Sequence, residues 1–317
     1  MSIARFWVLS IALAHVLFAP SSTARADVVF GASSVDGGSL WSIDTSSLAA
    51  TQIDSSIGVT PNALATNSLN NLLVFGDNSG TTLWVHDFAT GSSSQIYDLA
   101  PHFGGLTNPT MADGGSFYGD SYYFTVQSTL SGGEGGSVPQ LFRVQFNADG
   151  KTVTSVTSAA LNSPGGRPIG DLGDFAIDAN GIAYGNSWDP PGGITQVGGY
   201  WTFDVNDPGN SFTVVENTRS QGWNQPTYQL AFSGTRNTLF GVDYFTPLRL
   251  DSLDYSTSPV GINAGSGITG YSGSSFVDLS SAVMTPEPSA LMLMIPFVVV
   301  SVRRRKRRKA LPLPTRS

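Results

Sequence analysis

Tryptophan, arginine and carboxylate side chains in glycine-rich stretches are the plainest chemistry in this chain of 317 residues. Trp188 and Trp223 stand outside the repeating pattern that contains Trp41, Trp84 and Trp201, and Asp189, Arg167, Arg219 and His102 fall in similar irregular stretches. Indole faces beside a guanidinium and a carboxylate stack on sugar rings and hydrogen-bond their hydroxyls, so these six residues are the candidate ligand-binding set. A second reading, in which the tryptophans pin loops onto the fold, stays open.

Carboxylates offer two further chemistries. Asp171, Asp174 and Asp178 lie close together in the chain, and hard oxygens attract a divalent cation such as a structural calcium. Strand alternation puts Asp174 and Asp178 on one face with Asp171 near the strand's start, and no calcium-loop spacing is present. A capped strand start and a turn aspartate explain them without a metal, so no cofactor is expected. Paired carboxylates could also cleave glycosides, which makes an extracellular polysaccharide hydrolase or lyase the alternative function.

Other catalysis finds no residues. There is no Gly-x-Ser-x-Gly, no His-Glu-x-x-His and no phosphate-cradling loop, and His86 and His102 are the only imidazoles after residue 26. His86, between Trp84 and Asp87, reads as a packed or edge residue of a strand. The expectation is a protein that is not an enzyme. The chain has no cysteine, which removes disulfides, thiolate metal sites and thiol nucleophiles together.

The elements that would position these residues repeat. An apolar residue, an aromatic and a glycine recur as Val29-Phe30-Gly31, Val74-Phe75-Gly76, Phe117-Tyr118-Gly119, Ala183-Tyr184-Gly185 and Leu239-Phe240-Gly241. A later strand carries a large residue with, three positions on, usually an aspartate: Trp41 and Asp44, Trp84 and Asp87, Phe142 and Gln145, Trp201 and Asp204, Leu248 and Asp251. These aspartates read as turn formers. Before four of the five glycine motifs comes an apolar-Ala step: Leu64-Ala65, Met111-Ala112, Phe175-Ala176 and Leu230-Ala231. The first repeat lacks that strand, and residues 274–279 supply a matching one at the far end.

A ring closed by pairing its last strand with its first repeat leaves few exposed edges. The expected fold is therefore all-β, a five-bladed β-propeller closed by the C-terminal strand; solenoids and sandwiches share the alternation and are the alternatives. The glycines are spaced by 45, 43, 66 and 56 residues, and a four-stranded blade takes about forty, so the two long intervals carry insertions. These are residues 127–139 and 187–199, both between second and third strands. The turns Asn147-Ala148-Asp149-Gly150, Asp178-Ala179-Asn180-Gly181 and Asn206-Asp207-Pro208-Gly209 separate strands. With the inter-blade links 100–105, 161–170 and 217–226, the long loops fall on one face at the channel mouth, where a ligand would bind.

The two ends carry targeting signals. Arg5, an apolar run over 6–18 and Ala24-Arg25-Ala26 form a signal peptide expected to be cut before Asp27. Thr285-Pro286-Glu287-Pro288-Ser289 precedes an apolar run over 290–302 and then Arg303, Arg304, Arg305, Lys306, Arg307, Arg308 and Lys309. This order resembles the PEP-CTERM sorting signal. The resemblance covers only about the last thirty residues and implies a single membrane helix, a cytoplasmic basic end and an exosortase-type partner that cuts near Pro286-Glu287-Pro288. Seven consecutive cations after an apolar run would stop transfer in any case. The run has thirteen residues interrupted by Pro296, short of the roughly twenty of a full span, so snorkelling or local thinning would have to help.

Domains are therefore expected at 1–26 (signal peptide), 27–284 (propeller), 285–310 (sorting signal) and 311–317 (tail). Between Asp27 and Thr285 stand six cations against twenty-two acids, a net charge of −16, which repels nucleic acid and anionic polymers and would attract divalent cations or cationic partners. The reading is an exported, membrane-tethered cell-surface or matrix protein, met by signal peptidase and a sorting enzyme, whose propeller binds an extracellular polysaccharide or a protein without catalysis.

Overall fold

The computed structural model describes residues 27–55, 57–77, 81–104, 106, 109–128, 139–162, 171–188, 199–216, 228–233, 238–243, 248–271, 273 and 276–281. Twenty strands form five four-stranded antiparallel sheets. Blade 1 is β20 (Asp278–Ser281), β1 (Val28–Ser33), β2 (Ser39–Asp44) and β3 (Ala50–Asp54), and blade 2 is β4 (Pro61–Asn67), β5 (Leu72–Asp77), β6 (Thr82–Asp87) and β7 (Ser92–Asp98). Blade 3 is β8 (Pro109–Tyr118), β9 (Ser121–Ser128), β10 (Gln140–Phe146) and β11 (Val153–Ala160). Blade 4 is β12 (Asp171–Ile177), β13 (Ile182–Trp188), β14 (Tyr200–Asp204) and β15 (Thr213–Glu216), and blade 5 is β16 (Tyr228–Phe232), β17 (Leu239–Asp243), β18 (Leu250–Asp254) and β19 (Gly261–Asn263).

The first strand of each blade contacts its counterparts in both neighbouring blades, in the order β20, β4, β8, β12, β16 and back to β20. That closed ring makes the fold a five-bladed propeller and removes the solenoid and sandwich. Closure follows the predicted route: β20 pairs with β1 in the register Gly31↔Leu279 and Phe30↔Ser280, and Val277 donates its amide to the Ala32 carbonyl. Phe276, fully buried, seals the joint.

Five apolar clusters fill the five blade interfaces. Phe124 and Phe142 of blade 3 meet Val74 and Val85 of blade 2, for example, while Tyr228, Leu230 and Leu253 of blade 5 meet Tyr200 and Ala176 of blade 4. Alternation along each strand lets one residue face one neighbour and the next face the other, so the inner strands are buried on both faces while the fourth strands stay largely open. Polar clasps tie the inner strands together. The buried Asp278 accepts the Leu64 amide, the buried Asp174 accepts the Leu230 amide, and Ser116 Oγ takes the Ile177 amide at 3.1 Å.

The recurrent glycine has a steric reason. A Cβ on Gly31 would stand 2.6 Å from the Phe276 ring, one on Gly241 2.7 Å from the Tyr228 ring, and one on Gly185 would collide with the Trp201 indole. In three blades, then, the missing side chain is the space an aromatic ring occupies. Blade 3 departs from the expected alignment. Phe117 and Tyr118 end its first strand and Gly119, at φ 62°, makes the turn, so this triplet is not the second-strand motif of the others. At the equivalent level blade 3 places Gly115 opposite Phe124.

The turn aspartates are real but differently registered. Asp44, Asp87, Asp149, Asp204 and Asp254 each follow or close a third strand and accept an amide two residues on, at 2.8 to 2.9 Å. Blade 3 uses Asp149 where Gln145 was aligned, and blade 5 uses Asp254, not Asp251. Bonds from Ser46 and Ser47 hold the Asp44 carboxyl down at about 2, and Thr152 does most of the same for Asp149, also at about 2.

Candidate functional site

Strands alternate in direction, so the connections between second and third strands leave from the same end of the barrel as the links between blades. The two insertions follow this rule: β9 ends at Ser128 and β10 begins at Gln140, while β13 ends at Trp188 and β14 begins at Tyr200. Trp188, the last residue of β13, is paired with Asp171 at the start of β12. His102 closes a short 3-10 turn, Ala100–His102, with its Nε2 2.8 Å from the Tyr97 hydroxyl and the two rings stacked at 5.8 Å. Arg167, Arg219, Trp223 and Asp189 lie outside the described residues, as do Pro286, Glu287, Pro288 and the basic block. The side chains of Trp188 and Asp171 lie outside them too.

Asp174 and Asp178 take separate positions. A β-bulge between Leu172 and Phe175 turns Asp174 inward, where it is fully buried and clasps blade 5. Asp178 sits in the β12–β13 turn and accepts the amides of Asn180 and Ile182 at 2.8 and 2.9 Å. Among the described residues no three His, Asp or Glu side chains come together in a way that could hold a metal ion.

One buried group has the composition of a catalytic triad but not its geometry. His86 on β6 is fully buried at the junction of blades 1 and 2; its Nδ1 lies 3.1 Å from Ser93 Oγ and 3.3 Å from Asp54 Oδ2, and Ser93 donates to Asp54 at 2.9 Å. Serine and carboxylate share one ring nitrogen, while Nε2 is buried without a partner. A general base needs the nucleophile on the nitrogen opposite its orienting carboxylate, so this arrangement packs blades rather than activating Ser93. Burial lowers the His86 pKa, outweighing Asp54 and Asp87, and the ring is held neutral.

The cluster that the sequence pattern misassigns is in blade 5. Asp251, fully buried, accepts four hydrogen bonds: from Arg249 Nε (2.5 Å) and Nη2 (2.7 Å), the Tyr228 hydroxyl (2.8 Å) and the Gly265 amide (2.8 Å). Arg249 and Asp251 are two apart on the strand path and so share the face turned to blade 4. Burial alone would raise the Asp251 carboxyl, but the bonds from Arg249, Gly265 and Tyr228 more than reverse this and lower it. Tyr228 is raised, by burial first and then by Asp251. The signal that could have found this cluster is strand register: opposite Gly241 stands Asp251, where Gly31 faces Trp41 and Gly185 faces Trp201.

No helix among the described residues is long and apolar enough to cross a membrane. No family model matches the chain, and no curated protein matches it. Among solved structures it is similar to a chain of a nidogen/laminin complex (12% identity, 76% of this chain and 78% of that one, TM-score 0.44). It is also similar to TolB from Acinetobacter baumannii (12% identity, 80% of this chain, TM-score 0.44) and to a gluconolactonase from Xanthomonas campestris (11% identity, 64% of this chain, TM-score 0.39). The chain spans 54% and 61% of those last two chains. At this identity and overlap the likenesses carry nothing beyond fold, and the sheet order with the closed ring of strand contacts is what makes this chain a five-bladed β-propeller.

Proposed function

We propose that the protein is an exported, PEP-CTERM-sorted surface or matrix protein whose propeller binds a glycan, or a protein, on its loop-bearing face without catalysing a reaction. The observation that carries the binding reading is that the two second-to-third strand insertions and the inter-blade links leave one end of the barrel, with Trp188 as the last strand residue before one insertion. Loops held on a rigid ring are where binding residues concentrate, and a tryptophan at such a place supplies a flat apolar surface for a sugar ring. The neutral, enclosed His86 speaks against the His86–Ser93–Asp54 cluster as a catalyst.

Export and sorting rest on the two terminal segments and their order. The partners would be signal peptidase, an exosortase-type enzyme and, through residues 290–302, the membrane, whether the tether is transient or retained. Mass spectrometry of protein recovered from the envelope is expected to find a first residue at Asp27 and a last residue near Pro286-Glu287-Pro288; an intact N-terminus would remove the export reading. For the ligand, the Trp188→Ala, Trp223→Ala double variant is expected to lose binding on a polysaccharide array. Binding equal to the parent's would show that the tryptophans only pin loops.

A further inference from the structure

Three blades fill one position of the third strand with an apolar side chain: Trp41, Phe142 and Trp201 stand opposite the second strand at this level and turn to the preceding blade, whereas Leu83 of blade 2 turns to blade 3. These three are buried, so the position belongs to the packed interior of the blade stack. Blade 5 has Asp251 there, and so buries a charge that must be satisfied by four donors. A buried ion pair is no more stable than well-packed apolar residues of the same volume, and frequently less so. The fold therefore does not require this pair, as three of its other blades demonstrate, and a local rule broken in one repeat points to a site.

The pair is also asymmetric. Asp251 is enclosed, but the Arg249 side chain keeps 41% of its surface exposed. Its Nε–Nη2 edge is spent on Asp251, while Nη1 has no acceptor among the described residues. The edge formed by Nη1 and the second hydrogen of Nη2 is a flat pair of N–H donors, the shape that matches one carboxylate. Arg249 immediately precedes β18, at the end of the blade where the second-to-third connection enters, which is the loop-bearing end. Asp251, itself held by Tyr228 and Gly265, fixes the guanidinium so that little side-chain freedom is left to lose on binding.

We infer that Arg249, held in place by Asp251, is the carboxylate-binding group of a subsite at the mouth of the blade 4–blade 5 junction, and that it takes a lone uronic acid residue of an otherwise neutral glycan. This rests on the glycan-binding reading above and narrows it. A domain with a net charge of −16 disfavours a phosphate or sulfate dianion and any polyanion, whereas a single planar carboxylate adds one charge and meets the two donors that Arg249 does not spend on Asp251. Asp251 and Tyr228 are positioning residues, since neither of them meets the ligand.

The test uses a neutral oligosaccharide carrying one galacturonate and its methyl ester, which has the same rings without the charge, titrated by calorimetry into the full chain. The acid is expected to bind at least roughly tenfold more tightly than the ester, and Arg249→Lys, which keeps the charge but loses the flat fork, to erase most of that ratio. Asp251→Asn and Tyr228→Phe are expected to reduce the acid-to-ester ratio by progressively smaller factors. A purely structural defect would weaken acid and ester alike and leave the ratio unchanged. Equal binding of acid and ester by the parent, or an unchanged ratio in a folded Arg249→Lys variant, overturns the subsite. If neutral glycans bind through Trp188 and Trp223 in that case, the broader reading survives; if no glycan binds at all, both fall.

Discussion

Blades 4 and 5 solve the same packing problem with opposite chemistry. At the level of the repeated glycine, blade 4 lays the Trp201 indole over Gly185, stacked on Phe203 at 5.5 Å and Phe212 at 5.6 Å, with only its Nε1 tied to Ser187 Oγ. Blade 5 lays the Tyr228 ring over Gly241 from the first strand instead, and the third-strand place falls to Asp251 with its four donors. One arrangement gains from dispersion and from removing apolar surface from water; the other largely balances desolvation against charge-assisted hydrogen bonds. The difference teaches that the blade needs a filled volume at this level but not a particular polarity, which leaves one blade free to carry a charged group toward solvent.

The largest effect should come from emptying the apolar version. Trp201→Ala removes a fully buried side chain from the junction of blades 3 and 4 and is expected to cost about 3–5 kcal/mol, measured by denaturant unfolding at constant m-value. A loss below about 1 kcal/mol would mean that the aromatic stack is not what holds blade 4. Filling the glycine gap should be milder but still harmful. Gly185→Ala forces its methyl into the indole, and overpacking of this kind costs about 1–3 kcal/mol; a neutral result would show that the ring can slide, and the steric account of the repeat would fail.

The sequence exposed the ring but not its exceptions, for physical reasons visible at particular residues. Closure could be anticipated because a strand missing from the first repeat and a matching strand after the fifth are both pattern-level facts, and β20 pairs with β1 accordingly. Blade 3 was misaligned because Phe117-Tyr118-Gly119 has the motif's composition while its glycine serves a turn at φ 62° rather than a ring contact. Spacing also hid Asp251, since a carboxylate three residues after Leu248 looks like the turn aspartates at 44, 87 and 204. Only the register, with Asp254 making the turn bonds, separates the two roles. The bulge that turns Asp174 inward is likewise a tertiary feature that alternation alone cannot supply.

Acid should separate the two buried ionisable clusters, a smaller effect than either packing change. His86 has a folded pKa below its ordinary 6.5, because burial disfavours the imidazolium more than Asp54 and Asp87 favour it. The unfolded chain therefore binds the extra proton first, so stability is full above about pH 6.5 and falls as the pH drops below it, by about 1.4 kcal/mol for each unit of displacement. Asp251 is lowered from 3.8, so what it contributes is present above that value and is lost only as the pH falls below it. Between pH 7 and 5 the slope is expected to belong to His86 and to flatten in His86→Phe, while Asp251→Asn leaves it in place. A slope that survives His86→Phe would assign the acid sensitivity to another group.

The smallest effect bears most directly on the comparison. Refilling blade 5 with apolar residues, as Arg249→Met, Asp251→Leu and Tyr228→Phe together, removes the charge, its counter-ion and the hydroxyl that would otherwise lose its acceptor. Gly265 is exposed, and its amide can turn to water. The triple variant is expected to match the parent within about 1 kcal/mol, or to exceed it, because well-packed apolar replacements of a buried ion pair are neutral or stabilising. Asp251→Ala alone is the contrasting case. It leaves the Tyr228 hydroxyl buried without its acceptor and opens a gap, which costs about 1–3 kcal/mol. If the triple variant instead loses as much as the single one, the ion pair is a structural part of blade 5, and the polarity of that position is fixed by the fold rather than free to serve a ligand.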